Sequence, residues 1–177
     1  MKEALVLIDI QNMYFEEGSY KLFEPEKAAF EASKVLERFR KDKKPIIHVK
    51  HNFDVNGKSN GEYLLDFNSA VKPNPNEIVI SKDRPSAFYE TGLKAKLDEL
   101  GIDSLVVVGM MSHMCIDTNV REAQNYNYKV TLIHDACTTK DLDWNGNKIP
   151  AVTVHGSIMA SLSGMFANVI SAKEFLK

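Results

Sequence analysis

The sequence predicts an α/β fold in which a mostly parallel central sheet lies between two layers of helices. Short apolar runs rich in Val and Ile lack the alternation of a half-exposed strand, which is typical of strands buried on both faces. Amphipathic helical patterns separate these runs. Strands and helices that alternate in this order form parallel sheets covered on both sides.

The composition is that of one ordinary folded domain, which we expect to span residues 1–177. The chain has 22 basic and 24 acidic side chains, a net charge of −2, and 44% hydrophobic residues. This balance argues against nucleic-acid binding, and no apolar run is long enough to span a membrane. A short, charged N-terminus and two cysteines without a paired motif favour a cytoplasmic protein.

The first half of the chain predicts three strands, one helix and one long loop. The strands are expected at residues 4–10, 45–50 and 78–80, and the polar stretch 52–76 forms the loop. The helix begins at Pro25 and has one apolar face, made of Ala28, Ala29, Ala32, Val35, Leu36 and Phe39. The basic cluster at residues 38–44 is typical of a solvated helix C-terminus.

The second half predicts three helices and three strands. Strands are expected at residues 105–109 and 130–133 and from Val169 onwards, and Gly101 ends the first helix. The apolar faces of the three helices are Leu93, Leu97 and Leu100, then Ile116, Val120 and Ala123, then Val154, Ile158, Leu162 and Met165. The polar segment 140–150 contains Trp144 and is interpreted as a lid or an oligomer contact.

Three chemically capable side chains follow strands of the predicted sheet. Asp9 ends the first strand, Lys82 follows the third, and Cys115 follows the fourth. Sites in open parallel sheets lie beyond the carboxyl ends of the strands. We therefore expect these three side chains to meet, provided that their strands are neighbours.

Cys115 is the candidate nucleophile. Ser112 is a good N-cap residue and would place Cys115 at the third position of a helix, where the helix dipole and Lys82 would lower the pKa of the thiol. Asp9 could accept the thiol proton and deliver it to a leaving group. The alternative is a small buried cysteine that packs against the sheet, which is also our interpretation of Cys137.

With these residues, the sequence resembles the isochorismatase-like cysteine hydrolases over essentially its whole length. Four elements carry the resemblance in order: Asp9-Ile-Gln11 after the first strand; Lys82 with Ser86-Ala87-Phe88 and Thr91; Gly109-Met-Met-Ser-His-Met-Cys115; and Asp135-Ala136. Each element alone is weak, and the ordered set is specific. The resemblance implies a Rossmann-like topology and a homo-oligomer, a dimer or a tetramer.

The resemblance implies a triad of Asp9 as general base, Lys82 as electrostatic partner and Cys115 as nucleophile. It further implies a cis peptide between Met110 and Met111 and an oxyanion hole formed by the N–H groups of Met111 and Cys115. The reaction implied is hydrolysis of a C–N bond in a small amide-like molecule through a thioester. Isochorismatase proper, which acts on a vinyl ether, lacks this cysteine.

Departures from the family pattern affect two expectations: whether the protein binds a metal, and which substrate it accepts. Nicotinamidases carry Asp-x-His after the second strand to bind a metal, and here the stretch has His48 and His51 in a different order. We expect no metal and no cofactor: His48 should pack beneath the sheet and His51 should line the loop. His113, two residues before Cys115, places an imidazole at a position where family members commonly have a carboxylate.

Five residues are candidates for contact with the substrate: Gln11, Phe15, Phe88, His113 and Met114. Trp144 is a further candidate for an apolar pocket wall. For Phe15, Phe88, Met114 and Trp144 the alternative is ordinary core or rim packing, and for His113 it is an exposed position at the helix start. His134 and His155 are given structural roles.

Other functions stay open at this point. A nicotinamidase-like or isochorismatase-like specificity could be concealed by the divergent loop, and Cys115 could instead serve a non-hydrolytic redox or binding protein, or a scaffold without turnover. Asp9 and Lys82 favour hydrolysis, because a redox thiol needs no carboxylate base.

Overall fold

A computed structural model describes residues 2–15, 20–52 and 61–177 of the chain. The strands β1 to β8 are Glu3–Ile8, Ile46–His51, Ile78–Lys82, Ser104–Met110, Lys129–Thr138, Leu142–Trp144, Asn147–Ile149 and Asn168–Ile170. The helices α1 to α6 are Pro25–Lys41, Gly61–Leu65, Leu93–Glu99, Asp117–Asn125, Ala151–Leu162 and Ala172–Phe175. Across these ranges, no helix is long and apolar enough to cross a membrane.

Six strands form one parallel sheet in the order β3-β2-β1-β4-β5-β8, and helices cover both of its faces. This arrangement confirms the predicted three-layer fold. The order places β1, the first strand of the chain, between β2 and β4: β2 and β3 extend the sheet on one side of β1, and β4, β5 and β8 extend it on the other. Ligands bind at such a switch point in open α/β sheets.

Successive side chains of each central strand point to opposite faces of the sheet, and this alternation divides the core into two layers. On β1, Ala4, Val6 and Ile8 pack on the side of α3, α4 and α5. Leu5 and Leu7 pack on the other side, against the apolar face of α1. Burial of each such side chain stabilises the fold by about 1.5–3 kcal/mol. The central strands therefore have almost no freedom to shift in register, which fixes where their carboxyl ends lie.

Several local predictions need correction. The predicted loop 52–76 contains α2 and a 3₁₀ turn at Ser69–Val71, while residues 53–60 lie outside the described residues. Helix α5 ends at Leu162, and Met165 beyond it is 74% exposed rather than part of the apolar face. Strand β5 is ten residues long and passes through a register shift opposite Val107 and Gly109.

The segment 140–150 forms a separate antiparallel hairpin of β6 and β7. Trp144 on this hairpin is 76% exposed. It therefore forms no buried pocket wall within the chain, which was one of the two roles left open for it.

The basic end of α1 is only partly solvated. Arg40 pairs with Glu77 through Nε at 2.7 Å and Nη2 at 2.9 Å, and it also donates to the Lys72 carbonyl. Glu77 in turn contacts Nε2 of His48, which is fully buried as predicted. This network, which we call the Glu77 cluster, joins α1 and β2 to the segment before β3.

Candidate active site

Four polar side chains meet at the carboxyl end of the sheet. In sheet order they are Lys82 at the end of β3, His51 at the end of β2, Asp9 after β1, and Cys115 after β4. His51 and Lys82 are direct cross-strand partners. The geometry thus brings together the three residues singled out by the sequence, and a fourth, His51, that was expected to line the loop.

The ammonium group of Lys82 is the centre of this arrangement. Its Nζ lies 2.8 Å from Asp9 Oδ2, 2.7 Å from His51 Nδ1 and 3.3 Å from Cys115 Sγ. It also donates to the Arg84 carbonyl at 3.1 Å. The Lys82 side chain has no solvent exposure, so these contacts replace its hydration.

Asp9 is fully buried and adopts a left-handed backbone conformation with φ of 53°. Its N–H still donates to the Val49 carbonyl of β2, so the chain leaves the sheet immediately after this bond. Burial raises the pKa of the Asp9 carboxyl, and the positive charge of Lys82 opposes that rise. Among the residues described, none donates a well-aligned hydrogen bond to either carboxylate oxygen, and Lys82 contacts Oδ2 as an ion pair.

Cys115 lies in a π-helical turn, Ser112–Ile116, that leads into α4. In this turn the Ile116 N–H donates to the Met111 carbonyl and the Asp117 N–H reaches the Ser112 carbonyl. The predicted cap is wrong: Met111 is the N-cap residue, and the Ser112 hydroxyl shares a 2.8 Å hydrogen bond with His155 Nδ1.

The predicted lowering of the thiol pKa is also wrong. Burial raises the pKa of Cys115 to about 12, the negative charge of Asp9 adds to the rise, and Lys82 only partly offsets it. Cys115 is 3% exposed. Burial thus favours the neutral thiol over the thiolate. The Cys115 sulfur and a carboxylate oxygen of Asp9 lie within 4.8 Å of each other.

The backbone before the cysteine turns sharply away from the sheet. The Met110–Met111 peptide bond is cis, and Gly109 has a φ of 136°. A Cβ at Gly109 would lie 2.0 Å from the Ile8 carbonyl oxygen of β1, so this approach of β4 to β1 requires glycine.

Asn119 ties the turn that carries Cys115 to the segment that follows Lys82. Its Nδ2 donates to the carbonyls of Cys115 at 2.7 Å and Pro85 at 2.9 Å, and its Oδ1 accepts from the Ala87 N–H at 2.7 Å. Asn119 is 3% exposed. Sequence reasoning missed it, although a polar residue four positions after the cysteine, on the face that carries Val120 and Ala123, was a usable signal.

The side-chain amide of Gln11 is engaged by the chain itself. Its Nε2 donates to the carbonyls of His51 and Leu65, and its Oε1 accepts from the His51 N–H. Gln11 is fully buried. Its three polar contacts go to backbone, which gives it a supporting position beside the triad.

The other candidates for substrate contact differ in exposure. Met114 is 40% exposed, and Phe15 is half-buried. Phe88 is 7% exposed and packs with the rings of Tyr126 and Tyr128 in the same core cluster as Cys115. His113 contacts the Thr139 hydroxyl through Nδ1, and burial lowers the pKa of its imidazole.

The residues present do not fit a metal ion at this centre. Asp9, His51 and Cys115 offer a carboxylate oxygen, a ring nitrogen and a sulfur within 4.8 Å of one another. However, the Lys82 ammonium is within bonding distance of all three. A cation of the protein itself thus takes the position at which a metal would meet these ligands.

Comparison with known proteins identifies the family. Residues 3–174 match the model of the Isochorismatase domain. The isochorismatase family protein YddQ of Bacillus subtilis is 42% identical over 181 residues, which cover all of both chains.

Two solved structures share the fold. An isochorismatase from Pseudomonas putida is 37% identical with a TM-score of 0.92, covering 97% of this chain and 89% of that one. N-carbamoylsarcosine amidase from Thermoplasma acidophilum is 25% identical with a TM-score of 0.78, covering 97% of each chain. The chain belongs to the isochorismatase family.

Proposed function

We propose that this protein is a metal-independent cysteine hydrolase that cleaves a C–N bond, of amide or carbamoyl type, in a small molecule. The observation that carries the proposal is the buried Lys82 ammonium, within bonding distance of both Asp9 and Cys115. Family members are hydrolases, and the amidase named above acts on a carbamoyl compound by its name. Asp9 favours hydrolysis over a redox role, because hydrolysis needs a group that delivers a proton to the leaving amine.

The first half of the reaction forms a thioester. Asp9 accepts the proton of Cys115 as Sγ attacks the substrate carbonyl carbon, which becomes tetrahedral. The N–H groups of Met111 and Cys115 stabilise the negative oxygen, and single donors of this kind contribute about 2.7–4 kcal/mol. The C–N bond then breaks, and the amine or ammonia leaves with the proton held by Asp9.

The second half regenerates the enzyme. Asp9 takes a proton from water as the water oxygen attacks the thioester carbon. The C–S bond breaks, the acid product leaves, and Sγ recovers the proton. Lys82 keeps its charge throughout and stabilises whichever of Asp9 and Cys115 is negative.

Ammonia release from a panel of small amides, carbamates and ureas tests the proposal. We expect Cys115→Ala and Asp9→Asn each to abolish hydrolysis of any substrate the panel identifies. Cys137→Ala is the matched control, because this second buried cysteine has no part in the reaction and its variant should keep activity. Full activity in Cys115→Ala would refute the mechanism, and stoichiometric zinc or iron in active protein would refute metal independence.

The quaternary structure and the location stay predictions. We expect a dimer or a tetramer, which light scattering coupled to size-exclusion chromatography measures directly. A cytoplasmic location is favoured by the free thiols of Cys115 and Cys137.

A further inference from the structure

We propose that His51 is a positioning residue whose imidazole Nδ1 holds the Lys82 ammonium between Asp9 and Cys115. The proposal rests on the function proposed above, since it concerns how that triad is assembled. His51 Nδ1 lies 4.0 Å from Asp9 Oδ2, beyond hydrogen-bond distance, and 2.7 Å from Lys82 Nζ, so its effect is exerted through Lys82.

The sheet order makes such a support necessary. Lys82 ends β3 and Asp9 follows β1, with β2 between them. Neighbouring strands are about 4.8 Å apart, so the two backbones are separated by about 10 Å. The lysine side chain must therefore cross the end of β2, and His51 is the residue at that end. Lysine is among the side chains with the most rotamer freedom to lose, so a contact halfway along its path restricts it strongly.

The contact between His51 and Lys82 has a defined direction. An ammonium group has three donors and no acceptor, so His51 Nδ1 must accept the 2.7 Å hydrogen bond. The imidazole is then neutral with its proton on Nε2. Burial and the positive charge of Lys82 lower the pKa of His51 to about 4, which keeps Nδ1 an acceptor at neutral pH.

Gln11 fixes the backbone that carries this imidazole. It accepts from the His51 N–H at 2.9 Å and donates to the His51 carbonyl at 3.0 Å. The second Gln11 proton goes to the Leu65 carbonyl at 2.8 Å. A rigid path therefore leads from the segment after β1, through His51, to the ammonium group.

Three variants of His51 separate an acceptor role from simple packing. Asn places an amide oxygen close to the position of Nδ1, whereas Gln places it one bond further from the backbone. Leu retains volume and removes the acceptor. The proposal requires Cys115 to react in His51→Asn as it does in the native protein. In His51→Gln and His51→Leu it should react more slowly, because the ammonium group is no longer held in place.

The readout is the rate at which iodoacetamide alkylates Cys115 at pH 8, followed by peptide mass spectrometry. Lys82 stabilises the thiolate, so a misplaced ammonium raises the thiol pKa. We expect alkylation to slow about tenfold in His51→Leu and His51→Gln, equivalent to one pKa unit, and to stay within about threefold in His51→Asn. Alkylation of buried Cys137 in the same samples reports general opening of the fold.

The outcomes are decisive in both directions. Native rates in all three variants would overturn the proposal, and so would equal slowing in all three, because an acceptor at the Nδ1 position would then be irrelevant. Slowing confined to Leu and Gln supports it. Alkylation needs no substrate, so this test can be carried out even if no amide, carbamate or urea of the panel is hydrolysed. That second result would count against the proposed function and not against the role of His51.

Discussion

Lys82 Nζ lies 2.8 Å from Asp9 Oδ2, and neither side chain is exposed to solvent. A buried ion pair recovers its desolvation cost only through close geometry and further hydrogen bonds. Here the further contacts are His51, the Arg84 carbonyl and the sulfur of Cys115. The pair therefore serves both the stability and the chemistry of the site.

Removal of one charge from this pair should destabilise the fold. We expect Lys82→Met to lower the free energy of unfolding by about 3–5 kcal/mol, because it leaves the Asp9 carboxylate buried without its cation. The double variant Asp9→Asn/Lys82→Met should recover part of that loss. Urea unfolding of the native protein, Asp9→Asn, Lys82→Met and the double variant measures both effects, and a double variant no more stable than Lys82→Met would contradict the expectation.

The pH dependence of Cys115 follows from its thiol pKa, which burial raises to about 12. We expect the alkylation rate of the free protein to rise about tenfold per pH unit between pH 7 and 9, without a plateau. The folded-state pKa exceeds the ordinary value of 9.0, so this thiol favours folding fully below pH 9 and loses that contribution as the pH approaches 12. A plateau below pH 9 would show a preformed thiolate instead.

The Glu77 cluster predicts that two carboxylates bonded to the same guanidinium contribute unequally to the free energy of unfolding. Glu77 and Glu37 both bond to Arg40, but their side chains are 9% and 68% exposed. We expect Glu77→Gln to cost about 3 kcal/mol of unfolding free energy, and the control Glu37→Gln less than about 1 kcal/mol. Thermal and urea unfolding measure the difference, and equal losses would contradict it.

The same cluster predicts that the free energy of unfolding falls at acid pH. Burial alone would raise the pKa of Glu77, but Arg40, the Asn74 N–H and His48 together lower it to about 2. A lowered carboxyl pKa stabilises the fold above the ordinary value of 4.5, and the contribution disappears as the pH falls from 4.5 to about 2. The native protein should lose about 3 kcal/mol over this range, and Glu77→Gln should lose correspondingly less.

Gly109 and Gly156 form a matched pair for substitution by alanine. At Gly109 a Cβ would meet the Ile8 carbonyl oxygen at 2.0 Å, whereas at Gly156, in α5, nothing lies within 4 Å. We expect Gly109→Ala to unfold the protein or cost more than about 4 kcal/mol, and Gly156→Ala to add about 0.5–1 kcal/mol. Melting temperatures measure both; a stable Gly109→Ala would contradict the close approach of β1 and β4.

The fold was predictable because each central strand is a continuous apolar run and each major helix has one apolar face. The meeting of Asp9, Lys82 and Cys115 was predictable for the same reason: each lies at or just after the end of a strand, and the sheet order makes them converge. The sequence could not reveal the strand order by itself, and the resemblance supplied what the pattern left open.

The errors arose where tertiary contacts override local preference. Ser112 has the chemistry of a cap, yet His155 from a distant helix engages its hydroxyl. The thiol of Cys115 has the helix-start position of a reactive cysteine, yet burial outweighs Lys82. His51 looked like a loop residue because its cross-strand pairing with Lys82 is invisible in one dimension.

The nucleophile turn is anchored from several directions. Ser112 bonds to His155, His113 to Thr139, and the Cys115 carbonyl to Asn119. A segment held by this many side chains has little room for induced fit. We expect free and ligand-bound forms to superimpose over the turn, so ligands are discriminated by how well they fit a backbone that does not move.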